Sequence, residues 1–577
     1  MPLPTLDEFR GRKVVQWGVA YLAGAWLALQ VLIALTGVYG WPAWIVRAAP
    51  VVLGVGFVAA LVLAWYHGER GEQKVSGTEL SILAALLGLA GLGVMLVGGG
   101  AAEAEPADAV AAALVPSVDQ TTLAVLPFEA VAADSAGFAG ALADGLTAEL
   151  LATLARSPSL RVAAQTSAAA LGDVSADSAG RALGVAHLVE GTVQAVGAGS
   201  GGERVRVSVR LVSTATGLQE WADTYDRTGA DALALQDEIA RAVAAQLQVQ
   251  IGSARPRGTE SAEAYALALD GWRTVRRGGD PTVFMPAALA LFERAVAADS
   301  GYALAWAGLA RVRRGMATYG LAADSEAEYA AARAAAERAV ARDPAEGEGH
   351  VVLGLIADMH DHDADAARAH LERAVAANPS DAAALATLAH TYQFLGDEAA
   401  ALRAAGRAVA LDPLSAATLM RASYVYSYAG RHDRAVTLAR DAAALAPNDG
   451  DALYTLANAL AIAGQTDEAV RVADRLVAAS PDVENTYWVV SYARARAGDR
   501  GGAEAALGRI TEDANYFRAA VEAALGQPDS AFAALERSVA AEEYLVELEV
   551  DPWFAPLHGD PRWRRLTSRV RVRGPQG

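Results

Sequence analysis

The chain has 577 residues, 53% of them hydrophobic, and a formal net charge of −19 at pH 7. A chain of this length exceeds a single hydrophobic core, so about two to four domains are expected. The acidic balance argues against a nucleic-acid partner, because binding phosphates requires clustered Lys and Arg, and the absence of cysteine excludes disulfides and thiol catalysis.

Three long apolar runs predict a three-span membrane anchor at residues 14–100, after a short cytoplasmic N-terminus at residues 1–13. The runs cover residues 14–38, 44–66 and 80–97, and each is long enough to cross a bilayer. Tryptophans lie near the ends of these runs, as in the aromatic belts of membrane proteins. A cleaved signal peptide is the alternative for the first run, but two more runs follow it.

The distribution of basic residues predicts the orientation of the anchor, because Lys and Arg favour the cytoplasmic side in short loops. Residues 1–13 carry three basic residues, and the loop after the second run carries Arg70 and Lys74. Residues 101–155 contain none. The sequence therefore predicts a bacterial inner-membrane protein with a cytoplasmic N-terminus and a large periplasmic C-terminal region. The lipid bilayer is its first expected partner.

After a linker at residues 101–120, alternating helix and strand patterns predict a small α/β domain at residues 121–252. Strands are predicted at residues 122–128, 160–163 and 219–225, helices at 138–155, 176–183 and 231–248, and a hairpin around "GAGSGG". Hairpins and crossovers together indicate a mixed sheet. The opening strand, loop and helix are arranged as in a phosphate site, but the loop "EAVAAD" would repel an anion.

Six segments of this region resemble a known family in their order. They are "LAVLPF", "ADGLTAELLATLAR", "LRVAAQTS", "LGVAHLVEGTV", "TGLQEWADTYDR" and "ALQDEIA", and they are similar to the TolB amino-terminal-like, or FlgO-like, domain of bacterial envelope proteins. The resemblance implies a domain that joins a membrane segment to tetratricopeptide repeats. The candidate acid/base residues of this domain are Asp144, Glu149 and Glu190. The sequence places no His, Lys or Ser near them at a spacing typical of a catalytic pair, so neither catalysis nor a cofactor is predicted.

A period of about 34 residues follows a second linker at residues 253–260 and predicts a helical solenoid at residues 261–545. Prolines recur at 344, 379, 413, 447 and 481, and glycines recur at 396, 430, 464 and 498. Gly is expected to end the first helix of each unit and Pro the second. This pattern resembles the tetratricopeptide repeat, with about eight units. Residues 546–577 are predicted to form a C-terminal cap and a basic tail. Lipid binding by that tail is an alternative to a solvated terminus.

One stretch, "DMHDHDADAARAH", places His360, His362 and His370 among aspartates. Imidazole and carboxylate groups at short range are able to hold zinc. However, Pro344 and Pro379 are 35 residues apart, one more than the 34 residues between the later prolines. This extra residue of the 35-residue step belongs in the turn between two helices, where polar residues are ordinary, so no metal is predicted. A metal-dependent or signalling regulator that uses these histidines is the alternative function.

The repeat period also predicts which side chains face the groove, because the first helix of each tetratricopeptide unit lines it. The predicted groove residues are His390, Phe394, Met420, Tyr424, Tyr428, Tyr454, Asn458, Trp488, Tyr492 and Arg496. Aromatic and Arg side chains are common binding anchors, so we expect a protein or an extended peptide there, and a partner membrane protein is a further candidate. The alternative is that these large residues only fill gaps between the turns.

These patterns together predict a multi-domain protein with three transmembrane α-helices, a small α/β domain with a mixed sheet, and an all-α tetratricopeptide-repeat solenoid. The function expected of this arrangement is that of a membrane-anchored, non-catalytic interaction scaffold or sensor.

Overall fold

The computed structural model describes residues 121–131, 138–172, 174–199, 202–228, 235–249, 258–481, 483–511, 514–541 and 548–571, with the single residues 53 and 545. The predicted membrane anchor lies outside the described residues apart from Leu53, which is helical. The linker at residues 101–120 and most of the second linker also lie outside them. The chain divides into compact units at residues 1–113 and 114–577, and the second unit holds the α/β domain and the solenoid.

The α/β domain begins with a short parallel sheet and continues into a long antiparallel hairpin. Its elements are β1 (Thr121–Val125), β2 (Glu129–Val131), α1 (Phe138–Ala155), β3 (Leu160–Val162), α2 (Gln165–Ala170), α3 (Ala176–Leu183), β4 (His187–Gly199), β5 (Gly202–Ser213), β6 (Gln219–Thr228) and α4 (Leu235–Gln246). The first predicted strand, at residues 122–128, ends early at Val125, and the first three residues of the predicted loop form the short strand β2. Pro127 lies between β1 and β2 and has no N–H to donate to the ladder. Helix α2 was not predicted.

The sheet order is β3-β1-β4-β5-β6, and β2 also pairs with β4. Strand β1 runs parallel to β3 and β4, whereas β5 runs antiparallel to β4 and β6. The predicted mixed sheet is therefore confirmed. Helices α1 and α4 cover one face, where four leucines of α1 are buried in one cluster with the valines of β5. These leucines recur every four residues and are Leu142, Leu146, Leu150 and Leu154. Helix α3 packs on the other face, together with Leu414 from the solenoid.

The predicted tetratricopeptide-like solenoid is confirmed as eight consecutive helix pairs within residues 258–541 of the described chain. The pairs are α5 (Ala262–Arg277) and α6 (Pro281–Ala298), α7 (Ala303–Thr318) and α8 (Ser325–Arg342), α9 (Gly347–Met359) and α10 (Ala364–Ala377), α11 (Ala382–Phe394) and α12 (Glu398–Leu411), α13 (Ala416–Tyr428) and α14 (His432–Leu445), α15 (Gly450–Ile462) and α16 (Thr466–Ala479), α17 (Glu484–Arg496) and α18 (Arg500–Leu507), and α19 (Asn515–Ala524) and α20 (Pro528–Ala540). A 3₁₀ helix (Pro552–Leu557) and α21 (Pro561–Arg571) follow.

Local capping chemistry explains the period. The recurring glycines close the first helix of their pairs in the left-handed region, with φ of 76° at Gly396 and 71° at Gly430. Only glycine adopts that conformation at little cost. The following Asp397 starts the next helix, because its carboxylate accepts a hydrogen bond from the backbone N–H of Ala400. Such N-caps satisfy amides that the helix itself leaves unpaired.

Among the described residues, one helix is long and apolar enough to cross a membrane by length and composition, the helix α6. Its Met285, Ala288 and Phe292 are buried in a cluster with residues of α7, α8 and α9. Helix α6 is the second helix of the first pair, and these three side chains belong to the solenoid core.

The α/β domain docks on the turn between α12 and α13. The Ser167 hydroxyl donates a hydrogen bond of 2.6 Å to the Asp412 carboxylate and accepts one of 2.9 Å from the Leu414 amide. The Ala164 amide donates to the carbonyl oxygen of Leu411 at 2.8 Å. Ser167 and Asp412 are buried, so this contact is a packed interface between the two domains.

We expect Asp412→Ala to lower the free energy of unfolding by about 1–3 kcal/mol, because it leaves the buried hydroxyls of Ser167 and Thr418 without their acceptor. Chemical denaturation of the purified chain measures this loss. Asp441→Ala is the matched control, since Asp441 is exposed on α14 and should change stability by less than about 0.5 kcal/mol. Equal losses for the two variants would contradict the docking role of Asp412.

Candidate functional site

A cavity of about 380 Å³ lies along the row of first helices, which pack against each other from pair to pair. We call this cavity the tyrosine cavity. Its lining consists of His390 and Gln393 of α11, Tyr424 and Tyr428 of α13, Tyr454 and Asn458 of α15, Tyr516 and Phe517 of α19, and Asp551 and Trp553 from the C-terminal segment. Four helix pairs and the end of the chain therefore contribute to one site.

Five of the ten predicted groove residues line the tyrosine cavity, and these are His390, Tyr424, Tyr428, Tyr454 and Asn458. The three tyrosines come from two neighbouring first helices, and all three are half-buried. Their spacing along the helices follows from the repeat, because residues four apart lie on one helix face. The sequence period alone was sufficient to find this part of the cavity.

The other five predicted residues lie beside the cavity or beneath it. Phe394 contacts His390 edge-to-face, with ring centroids 4.1 Å apart. Met420 is partly buried against the core clusters. Trp488 stacks on Phe517 with centroids 3.6 Å apart. Tyr492 is fully buried, and Arg496 donates a hydrogen bond of 3.3 Å to its hydroxyl.

The C-terminal segment explains why Tyr492 and Asn458 are buried. The Trp553 indole N–H donates a 2.8 Å hydrogen bond to Oδ1 of Asn458. The indole stacks on Tyr492 with centroids 4.8 Å apart and meets Phe517 edge-to-face. Burial raises the pKa of Tyr492 to about 12, so its hydroxyl stays neutral. A partner therefore reaches neither the Tyr492 ring nor the Asn458 amide oxygen in this arrangement.

Asp551 fixes the segment that carries Trp553. One oxygen of its carboxylate accepts a hydrogen bond of 2.6 Å from the Tyr516 hydroxyl, and the other accepts one of 2.8 Å from the Trp553 amide. The second contact caps the 3₁₀ helix, in the usual manner of an N-cap. The residue is only 3% exposed. Sequence reasoning missed Asp551 and Trp553 as site residues because neither falls within the repeat period.

The histidines of the metal hypothesis lie at separate places. His360 contacts Asp361 at 2.9 Å and Glu326 at 3.1 Å, and the hydrogen bond to Asp361 is the main cause that raises its pKa. His370 instead meets His350, with 3.2 Å between their Nδ1 atoms, and burial lowers the pKa of both rings. In the described part of the chain, no group of three or more His, Asp or Glu side chains is arranged so that it could hold a metal ion.

The turn around His362 confirms where the extra residue of the 35-residue step lies. Four residues separate α9 from α10, whereas three separate α11 from α12. His362 takes a φ of 58°, in the left-handed region that glycine occupies in later turns. The polar turn therefore has a structural explanation in the repeat itself.

The acidic residues weighed for catalysis in the α/β domain have structural contacts. Asp144 lies 3.3 Å from the guanidinium of Arg273 in α5, and Glu190 pairs with Arg210 across the β4–β5 hairpin. Glu149 lines a separate cavity of about 370 Å³ that residues of α1 and the first solenoid helices enclose. The Glu190 contact therefore lies within the β4–β5 hairpin, and the Asp144 contact joins the α/β domain to the solenoid.

Comparison with known proteins identifies the repeats. Residues 428–488 match the tetratricopeptide repeat family. A Rhizobium meliloti (strain 1021) protein named "Putative adenylate cyclase 3" is 31% identical over 153 residues, which are 25% of this chain and 25% of that protein. The chain thus aligns with only a quarter of the length of this relative.

Among solved structures, the solenoid is similar to YrrB, described as a tetratricopeptide repeat protein with an unusual peptide-binding site. That match has 17% identity and a TM-score of 0.26, and it covers 34% of this chain and 95% of YrrB. Human IFIT1, solved as a dimer with m7Gppp-AAAA, matches with 16% identity and a TM-score of 0.36, over 54% of this chain and 78% of that one.

We expect Asn458→Leu to lower the free energy of unfolding by about 1–3 kcal/mol, because it leaves the buried indole N–H of Trp553 without an acceptor. Trp553→Phe removes that N–H, so the double variant should lose less than the sum of the two single variants. Denaturation of all four proteins in the cycle measures the coupling. Strictly additive losses would show that the hydrogen bond does not hold the C-terminal segment in place.

Proposed function

We propose that this chain is a membrane-anchored, non-catalytic scaffold or sensor that holds an extended protein segment along the row of first helices. The observation that carries the proposal is the tyrosine cavity, where half-buried aromatic side chains of neighbouring repeats meet in one concave site. Tetratricopeptide repeats generally bind peptides or proteins, and residues 428–488 match that family. Large aromatic anchors in a partly desolvated site provide most of the affinity in many interfaces.

The row of helices suits an extended segment better than a folded domain. Tyr424, Tyr454 and Phe517 lie on first helices of different pairs, so an occupant must pass from one repeat to the next. An extended peptide presents side chains along such a path and contributes backbone groups for hydrogen bonds.

We also propose that the chain is not an enzyme. The ion pairs of Asp144 and Glu190 support this, because each carboxylate is engaged in a structural contact. The Rhizobium meliloti relative is named for adenylate cyclase, but the aligned residues are a quarter of it. We therefore propose no cyclase activity for this chain.

The membrane part of the proposal depends on the sequence. Three apolar runs at residues 14–97 and the basic residues near them support an inner-membrane anchor with the solenoid in the periplasm. The six segments within residues 121–252 support a TolB-like identity for the α/β domain, and its mixed sheet is compatible with that proposal. A partner in the periplasm or in the same membrane would then reach the groove.

We expect Tyr424→Ala to weaken binding of a partner by about 1–3 kcal/mol, as for other buried aromatic anchors. A crosslinking pull-down from native membranes identifies the partner, and a titration of the purified proteins measures the affinity. Tyr319→Ala is the matched control, because Tyr319 is 62% exposed and lies outside the cavity. Unchanged affinity with a large loss of stability in Tyr424→Ala would assign Tyr424 to packing alone.

A topology test addresses the proposed location. A reporter fused after residue 110 should behave as periplasmic, and one fused near Lys74 should behave as cytoplasmic, because the basic loop remains inside. Alkaline phosphatase and green fluorescent protein fusions distinguish the two sides. The reverse pattern would contradict the proposed orientation.

A further inference from the structure

Two arginines on the row of first helices, Arg314 of α7 and Arg421 of α13, have no carboxylate bound to them in the described part of the chain. Each makes one long contact with a hydroxyl group. Nη1 of Arg314 lies 3.4 Å from Oγ1 of Thr318, and Nη1 of Arg421 lies 3.5 Å from Oγ1 of Thr387. Both distances are longer than usual hydrogen bonds. Because a guanidinium carries five N–H donors, most donors of these two groups have no acceptor in the protein.

Arg314 is the more enclosed of the two side chains. Its Nε atom is buried and has no hydrogen-bond partner among the described residues. Burial is the main cause that lowers its pKa, and the charge of Arg311 on the same helix lowers it further. The guanidinium stays charged at neutral pH even so. A positive group with an unsatisfied N–H therefore lies in an environment poor in water, which is unfavourable without a ligand.

Arg421 lies next to the tyrosine cavity. It precedes Tyr424 by three residues on α13, and Thr387 precedes His390 by three residues on α11. Residues three apart are neighbours on a helix surface, and both Tyr424 and His390 line the cavity. Arg421 keeps an exposed surface, although burial is the main cause that lowers its pKa. Both observations hold for a side chain in a groove that helices enclose on several sides and that is open on one.

One carboxylate acts on the charge of each arginine without binding it. For Arg314 this is Glu348, which forms its ion pair with Arg311 instead. For Arg421 it is Asp358. Its Oδ2 atom lies 3.6 Å from Nδ1 of a histidine on α11, and its Oδ1 atom has no hydrogen-bond partner among the described residues. The N–H groups of both arginines thus remain available to another anionic group.

The two arginines act on each other although they belong to different helix pairs. The charge of Arg421 is one of the causes that lower the pKa of Arg314, and the first helices α9 and α11 separate α7 from α13 in the chain. Like charges in such range repel each other, and an anion between them removes this cost. The planar N–H donors of Arg match the oxygens of a carboxylate or a phosphate.

We propose that Arg314 and Arg421 bind an anionic side chain of the partner segment, the carboxylate of an Asp or Glu residue. The site lies inside the row of first helices, with α5 before it and α15, α17 and α19 after it. A segment that passes along the groove therefore presents a side chain there rather than its end. The inference rests on the proposed function, because it names the residue type that the groove recognises in its protein partner. A phosphorylated side chain offers the same chemistry, and the experiment separates the two.

Small probes test the site directly, with the full chain in detergent micelles. The probes are the Nα-acetyl methylamides of glutamate, glutamine, lysine and O-phosphoserine, and Nα-acetyl-alanine represents a chain-end carboxylate. Ligand-observed NMR titrations give the dissociation constants. We expect the glutamate probe to bind about tenfold more tightly than the glutamine probe, because the two differ in charge and hardly in shape.

Two variants assign the binding to the arginines. Arg314→Gln and Arg421→Gln each remove one guanidinium charge, so each should weaken the glutamate probe about fivefold or more and leave the glutamine probe unchanged. The Tm of both variants should stay the same or rise, because each loses a desolvated charge without a bound counter-ion. Arg434→Gln is the matched control, since Arg434 is exposed on the second helix α14, and it should bind like the unaltered chain. If one arginine variant misfolds, the other still gives the answer.

Equal binding of the glutamate and glutamine probes, preference for the lysine or the alanine probe, or equal weakening by Arg434→Gln overturns the inference. Tighter binding of the phosphoserine probe that both arginine variants weaken supports the anion site and assigns it to a phosphorylated side chain. The proposed function fails by a different result, unchanged partner affinity in Tyr424→Ala. A partner that depends on Tyr424 but binds both arginine variants as tightly as the unaltered chain would leave the groove function standing and overturn only the recognition of an acidic side chain.

Discussion

The solenoid depends on the burial of an apolar face that no single helix pair can cover alone. One core cluster extends without interruption from Val436 of α14 to Leu566 of α21. Small residues at the crossings allow the helices to approach closely, and Ala435, Ala439 and Ala442 of α14 are all fully buried. Each pair is therefore positioned by its neighbours. As a result, the side chains on successive first helices lie in a regular row.

The last helix pair has no further repeat beside it in the described chain, and the C-terminal segment covers its face. Trp553, Phe554 and Trp563 belong to the same core cluster as the repeats. Trp553 also reaches Asn458, which lies 95 residues earlier in the chain. The segment that completes the core thus forms one wall of the tyrosine cavity, so the site and the end of the solenoid form a single packed structure.

Helix α13 connects this cavity with the α/β domain. The Thr418 hydroxyl near its start donates a 3.1 Å hydrogen bond to Asp412, the residue that also accepts from Ser167 of the α/β domain. Tyr424 and Tyr428 of the same helix line the cavity. Since an α-helix rises about 1.5 Å per residue, the docking turn and the cavity lie only a few turns apart on one rigid element.

The sequence by itself determined the helix pairs of the solenoid and the mixed sheet of the α/β domain, because both follow from patterns among residues close together in the chain. The glycine and proline period predicted the helix pairs because caps and turns act over a few residues, and it placed Tyr424, Tyr428 and Tyr454 on the groove side. The order of helices and strands, with a hairpin and crossovers, predicted the mixed sheet, since the periodicity that marks each helix and strand is also local.

Only the tertiary structure decided which of these side chains remain accessible. Tyr492 and Asn458 have the same period as the tyrosines, yet Trp553 covers them because a segment outside the repeat folds back onto the groove. The docking of Ser167 on Asp412 likewise joins residues 245 positions apart. Contacts at such separations depend on the shape of two assembled surfaces, which a local pattern of residues does not encode.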